Sequence, residues 1–115
     1  MIYCKARVRM FRNKKLYKRL MRLQERQSPD TRAINVILSE IARRDPAEYE
    51  AGKIEVEVEL SKRHIVREVT GILYLEIKFN EDYLAKPESD TDPYERKLRS
   101  AKLEMVQKEL ELRRK

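Results

Sequence analysis

The residues best equipped for chemistry crowd one end of the chain. Lys5, Arg7, Arg9, Arg12, Lys14, Lys15, Lys18, Arg19, Arg22 and Arg26 place ten cations in residues 1–27 beside a single acid, Glu25, a local charge of +9. The other 88 residues hold the remaining 17 of the 27 bases and 19 of the 20 acids, a balance of −2. All of the formal +7 is therefore owed to the first quarter of the chain. Ammonium and guanidinium groups match phosphate oxygens, and each phosphate they neutralise releases condensed counterions. Tyr3, Phe11 and Tyr17 are interleaved among them. Nothing in the segment arranges Asn, Gln and Arg for reading base edges, so the expected contact is with the backbone of RNA or DNA, whatever its sequence. The competing reading is a basic face that stays solvated or docks on an acidic protein surface.

Other chemistry finds less support. His64, the only histidine, sits in the basic run Lys62-Arg63-His64 without the spacing of a metal or nucleophile partner. Glu55, Glu57 and Glu59 share one parity, but carboxylates two residues apart on a strand stand about 7 Å from one another and read as a wet face. Cys4 has no second cysteine to pair with and is expected to be a small buried apolar residue. No catalytic residue, metal site or cofactor is expected, and the chain reads as a binding protein rather than an enzyme.

The elements that must position the cations come from hydropathy periods. Between Lys53 and Phe79, Ile54, Val56, Val58 and Leu60 alternate with the three glutamates. Val69, Leu73, Leu75, Ile77 and Phe79 then share parity. Alternation of this kind predicts a β-hairpin or meander over 53–79. Residues 2–10 alternate as well and predict a strand with a basic outer face. Leu16, Leu20 and Leu23 predict a helix after Asn13. Ser28-Pro29 predicts a helix start, with Ala33, Ile34, Ile37, Leu38, Ile41 and Ala42 as its apolar stripe. Asp45-Pro46-Ala47-Glu48 predicts a short turn closing at Gly52. Residues 80–92 read as an acidic loop, and Asp92-Pro93-Tyr94-Glu95 opens a last helix towards Arg113. That helix has two stripes: Tyr94, Leu98, Ala101, Met105 and Leu112, and a second one of Leu103, Val106 and Leu110 that suggests a partner interface.

The expected fold is thus α+β, one domain over 1–115. An antiparallel sheet of about three to four strands is covered on one face by helices, in the order β-α-α-β-β(-β)-α. Its divisions are 1–27, 28–52, 53–79, 80–92 and 93–115. Its core would hold Ile34, Ile37, Leu38, Ile41, Val56, Val58, Leu73, Leu75, Ile77, Leu98 and Met105. In element order alone this resembles ribosome-hibernation factors, as does the run Arg63-His64-Ile65-Val66-Arg67-Glu68-Val69-Thr70 with Glu88-Ser89-Asp90 before the final helix. Helix–sheet–helix is also similar to double-stranded-RNA-binding domains. The doubled helix between Asn13 and Gly52 departs from both, and no family is assigned.

No apolar run approaches the length of a membrane span and no secretory signal is visible, so a membrane partner is not expected. The implied partners are nucleic acid, and a second copy or another protein at the last helix. The implied setting is cytoplasmic, or within a virion or ribonucleoprotein particle. The runner-up function is a structural or assembly subunit of such a particle.

Overall fold

The computed structural model describes residues 4–114. Among them there is no strand: six α-helices and one 3-10 turn make up the fold. These are α1 (Lys5–Val8), α2 (Asn13–Glu25), α3 (Thr31–Arg43), α4 (Pro46–Ile65), α5 (Thr70–Leu84), the 3-10 turn Glu88–Asp90, and α6 (Pro93–Arg113). The α+β expectation is therefore corrected, and the likeness of order to sheet-containing families goes with it. The first expected strand is α1 and the corner after it, with Ile2 and Tyr3 lying outside the described residues. The expected meander is the second half of α4, a turn, and most of α5.

The physical reason lies in what two-residue alternation means on a helix. At about 100° per residue, Ile54 and Val58 share one face, while Val56 and Leu60 share another. Neither period is refused by such a sequence, and glutamate, leucine and lysine are good helix formers. Burial then picks out helical spacing: Gly52 and Val56, four apart, are buried on α4, and Leu73 and Asn80, seven apart, on α5. Leu75 and Phe79, which strand parity would have placed beside Leu73, are 48% and 57% exposed. Of the expected core, Ile37, Val56, Leu73, Leu98 and Met105 are buried, whereas Leu38 is 43% exposed.

Helix starts follow local chemistry. The Asp30 carboxylate accepts from Ala33 N at 3.1 Å, so the cap of α3 is Asp30 rather than Ser28. Asp92 accepts from Glu95 N at 3.0 Å and caps α6, which has proline in its first turn. Asn13 does not cap α2. Arg12 holds that position without a side-chain bond, and Asn13 is the first helical residue.

Helix ends are finished differently. Neither glycine has a positive φ, so no left-handed glycine closes a helix, and arginines reach across to the exposed carbonyls instead. Arg44 donates to the carbonyls of Val8 and Arg9 at the end of α1, Arg96 to those of Leu84 and Lys86 after α5, and Arg113 to those of Ile65 and Val66 after α4. A guanidinium suits the task because its fork serves several acceptors and its charge opposes the negative end of the helix dipole. Arg114 makes a lesser contact of the same sort. Its Nη2 lies 3.5 Å from the Tyr74 hydroxyl, a hydrogen bond that raises its already high pKa.

The chain divides into two compact units, residues 1–56 and 57–115. In unit 1, Val8, Leu16, Leu20, Leu23, Ala33 and Ile37 form the core, with Phe11, Ile34, Val36, Ile41 and Tyr49 packed against it. In unit 2, Ile65 of α4, Leu73 of α5, and Met105, Val106 and Leu110 of α6 form another, with Val58 and Ile77 on its edge. α5 and α6 run antiparallel there, Asn80 facing Arg99 and Thr70 facing Arg113. Asn80, 1% exposed, is satisfied inside that core: its Nδ2 donates to the Glu76 carbonyl at 2.9 Å and its Oδ1 accepts from Arg99.

The two glycines make opposite predictions. A Cβ on Gly52 would stand 2.8 Å from the Asn13 Cβ and 3.2 Å from the Lys14 nitrogen, so α4 meets the start of α2 closely only because residue 52 has no side chain. Gly52→Ala is expected to lower the stability of unit 1 by about 1–3 kcal/mol, the clash outweighing the roughly 1 kcal/mol gained in helix propensity. A Cβ on Gly71, in the first turn of α5, would meet nothing within 4 Å. Gly71→Ala is expected to stabilise by about 0.4–1 kcal/mol. Urea unfolding of the two variants checks both signs.

Candidate nucleic-acid interface

The basic surface of unit 1 rests on α2, and α2 is placed by its leucines. Leu16, Leu20 and Leu23 fall within about 60° of one another on the helix, and all three are buried. Lys14, Lys15, Lys18, Arg19, Arg22 and Arg26 fall in an arc of about 140° whose centre lies roughly 140° from the leucines. Burying the apolar stripe against α3 therefore turns the cations outward. Leu16→Asp would undo the basic face by unfolding unit 1, whereas changes within the arc leave the stripe alone.

The structure brings the ten expected cations together on α1, its following corner and α2, not on a strand and helix. Lys5 and Arg7 lie on α1, Arg9 is its C-cap, Arg12 is the N-cap of α2, and Arg26 is its C-cap. Lys5, Arg7, Arg12, Arg22 and Arg26 are exposed. Others are engaged within the fold. The Lys14 ammonium is 3.5 Å from the Glu55 carboxylate, and Arg9 Nε is 3.9 Å from Glu40. Lys15 places its ammonium 4.2 Å from the centre of the Phe11 ring. Met10, Phe11, Arg12, Lys14, Lys15 and Lys18 line an open concavity at the α1–α2 corner. Four cations and no acid face that hollow, and Met10 beside them is 84% exposed.

A second, smaller hollow was not legible in the sequence. Lys5, Arg9, Val36, Ser39, Glu40 and Arg43 line it. Glu40, 8% exposed, accepts from Arg43 Nη1 at 3.0 Å and Arg44 Nε at 3.2 Å. Arg44 also donates to Asn13 Oδ1 at 2.8 Å. One carboxylate thus ties the end of α3 to the α1–α2 corner, and Gly52 seats Asn13 for that bond. Spacing offers a signal only for Glu40 with Arg43 and Arg44, which are three and four residues apart on a helix; their reach to α1 and α2 has none.

Other sequence expectations are altered here. Cys4 is exposed rather than inward-facing. Glu55, Glu57 and Glu59 lie on a helix, where Glu55 serves Lys14. His64 is exposed in the last turn of α4. Among the described residues no group of three His, Cys, Asp or Glu side chains could hold a metal ion, and no helix is long and apolar enough to cross a membrane.

The expected partner stripe on α6 is also corrected. Val106 is 1% and Leu110 5% exposed, both within the core of unit 2, and Leu103 is half-buried. They close on α5 of their own chain, because an antiparallel helix pair needs a wide apolar arc. Comparison with protein-family models, curated proteins and solved structures returns no match for this chain.

Proposed function

We propose that the protein binds the phosphate backbone of nucleic acid through the basic face of unit 1. The observation that carries this reading is the cationic arc of α2, which continues into the acid-free concavity from Arg12 to Lys18. Charge is divided in keeping with it. Residues 1–56 hold 14 bases and 7 acids, +7, while residues 57–115 hold 13 of each. Cations at the first turn of α2 stand beside amides that no side chain caps, and a helix N-terminus adds to attraction for anions. The contact is sequence-indifferent, since lysine and arginine spread along an exposed arc read charge rather than base edges.

The test is the salt dependence of binding. If about five of the ten cations engage a duplex, log K falls against log salt with slope roughly −4 to −5, and on single strands about −3.5. Fluorescence anisotropy with single- and double-stranded RNA and DNA at several salt concentrations measures it. No saturable binding to any of the four near 50–100 mM salt, where such contacts are strong, retires the proposal.

A further inference from the structure

The corner between α1 and α2 joins cations to apolar groups that a phosphate site alone does not use. Met10 stands exposed at its tip, and the half-buried Phe11 follows, packed against the core of unit 1. The ring face turned away from that core is marked by the exposed Lys15, whose ammonium lies over it. Arg12, Lys15 and Lys18 stand around these two side chains, and the hollow between them measures about 460 Å³, within the range of small-ligand sites. The backbone there is fixed. Met10 N donates to the Arg7 carbonyl and Phe11 N to the Val8 carbonyl, both at 3.1 Å, and Val8 is fully buried.

We propose that this hollow seats one unpaired base of a single-stranded nucleic acid, a contact that rests on the phosphate binding proposed above and adds a base to it. Phe11 and Met10 lie against the base, and Arg12, Lys15 and Lys18 meet the adjoining phosphates. A duplex keeps its bases stacked inside and offers the corner only phosphates, for which a thioether and a ring are poor partners. An unstacked base has a π-face to lay on an aromatic ring whatever its identity, so the contact stays indifferent to sequence. A thioether is soft enough to pack on such a face as well. Lys15 is no obstacle. An ammonium over an exposed ring is held less strongly than a base stacked on it, and once displaced it serves a phosphate of the same strand. Lys15, Lys18 and Arg22 fall within about 60° of one another along α2, so the next phosphates find cations up the same side of the helix. That row is more than the phosphate of a free nucleotide can use, which favours a strand as the occupant.

The experiment measures the affinity of the full chain for three labelled probes: a thymine oligonucleotide, an abasic strand with as many phosphates, and a duplex of equal length. The thymine strand should bind about fivefold or more tighter than the abasic one, the least expected for one stacked base. Phe11→Leu keeps an apolar side chain against the core; it should remove that difference and leave the abasic strand and the duplex unaffected. Met10→Trp alters an exposed residue in a chain that has no other tryptophan. Its fluorescence should fall when the thymine strand binds, as indole meets base, and stay level with the abasic strand and the duplex. Equal affinities for the thymine and abasic strands overturn the base seat and leave the phosphate reading standing, whereas no binding to any of the three retires both. A tryptophan signal that ignores the presence of bases also overturns the seat, and does so even where Phe11→Leu fails to fold. Displacement of the strand by an equal concentration of thymidine monophosphate overturns the strand as occupant.

Discussion

Replacing Arg12, Lys15, Arg22 and Arg26 together by glutamate is expected to cut nucleic-acid affinity at least about 100-fold near 100 mM salt, roughly 2.7 kcal/mol. All four side chains are exposed and none belongs to the leucine stripe, so unit 1 should stay folded. Lys14 is left in place because its ammonium neutralises Glu55 at 3.5 Å, and a reversal there would set two carboxylates together. The four exchanges carry the net charge from +7 to −1, which by itself reduces attraction for a polyanion. The necessary control is the same charge change placed elsewhere: Lys62, Arg63, Arg67 and Lys108, exposed in unit 2, to glutamate. That variant should lose less than about tenfold. Equal losses in the two would mean that net charge, not the face of α2, governs binding. An unchanged affinity in the first would remove α2 from the interface altogether.

The second large effect is on stability. Arg44→Ala is expected to cost unit 1 about 3 kcal/mol, in the range found when one partner of a buried ion pair is removed. For a domain of this size that corresponds to roughly 12–24 °C in melting temperature. The Arg44 side chain is 17% exposed and its partner Glu40 9%. Its guanidinium serves Glu40, Asn13 and the carbonyls of Val8 and Arg9, so one truncation frees acceptors on α1, α2 and α3 together. Arg44→Lys keeps the charge near Glu40 but has no fork to span the other three, and should recover less than half of the loss. Hydrogen exchange is the informative readout: protection should fall in α1, α2 and α3, where those acceptors lie. Loss confined to the last turn of α3 would show that the Arg44 bonds beyond its own helix contribute little.

Several elements were legible without coordinates because their signals are local. The leucines of α2, the stripe of α3 and the Asp92-Pro93 start of α6 each satisfy one period or one cap chemistry, and each appears where expected within a residue or two. So does the concentration of cations, which is a matter of composition. α4 and α5 were misread for an equally physical reason. Ile54 to Leu60 alternates in a way that satisfies a strand, while the same residues also form two i, i+4 pairs on a helix. Gly52, expected to close a short turn, and Gly71, inside the expected meander, are both helical residues.

What the sequence by itself determined is the placing of charge and of most helix starts, since charge belongs to residues and capping needs only near neighbours. Which apolar side chains are buried was decided by the tertiary structure alone. Val56 is buried while Ile54 is only partly so, and Leu73 is buried while Leu75 is not, because the outcome depends on which side a neighbouring helix arrives. The arginines divide in the same way. Arg22 and Arg26 are left to solvent, whereas Arg44, Arg96 and Arg113 close helix ends. Their own surroundings in the chain offer Arg44 and Arg113 an acid four residues earlier, Glu40 and Glu109, but give no sign of the carbonyls they reach. The carbonyls that claim Arg44 and Arg113 lie 35 to 48 residues away, and only folding brings a guanidinium to them.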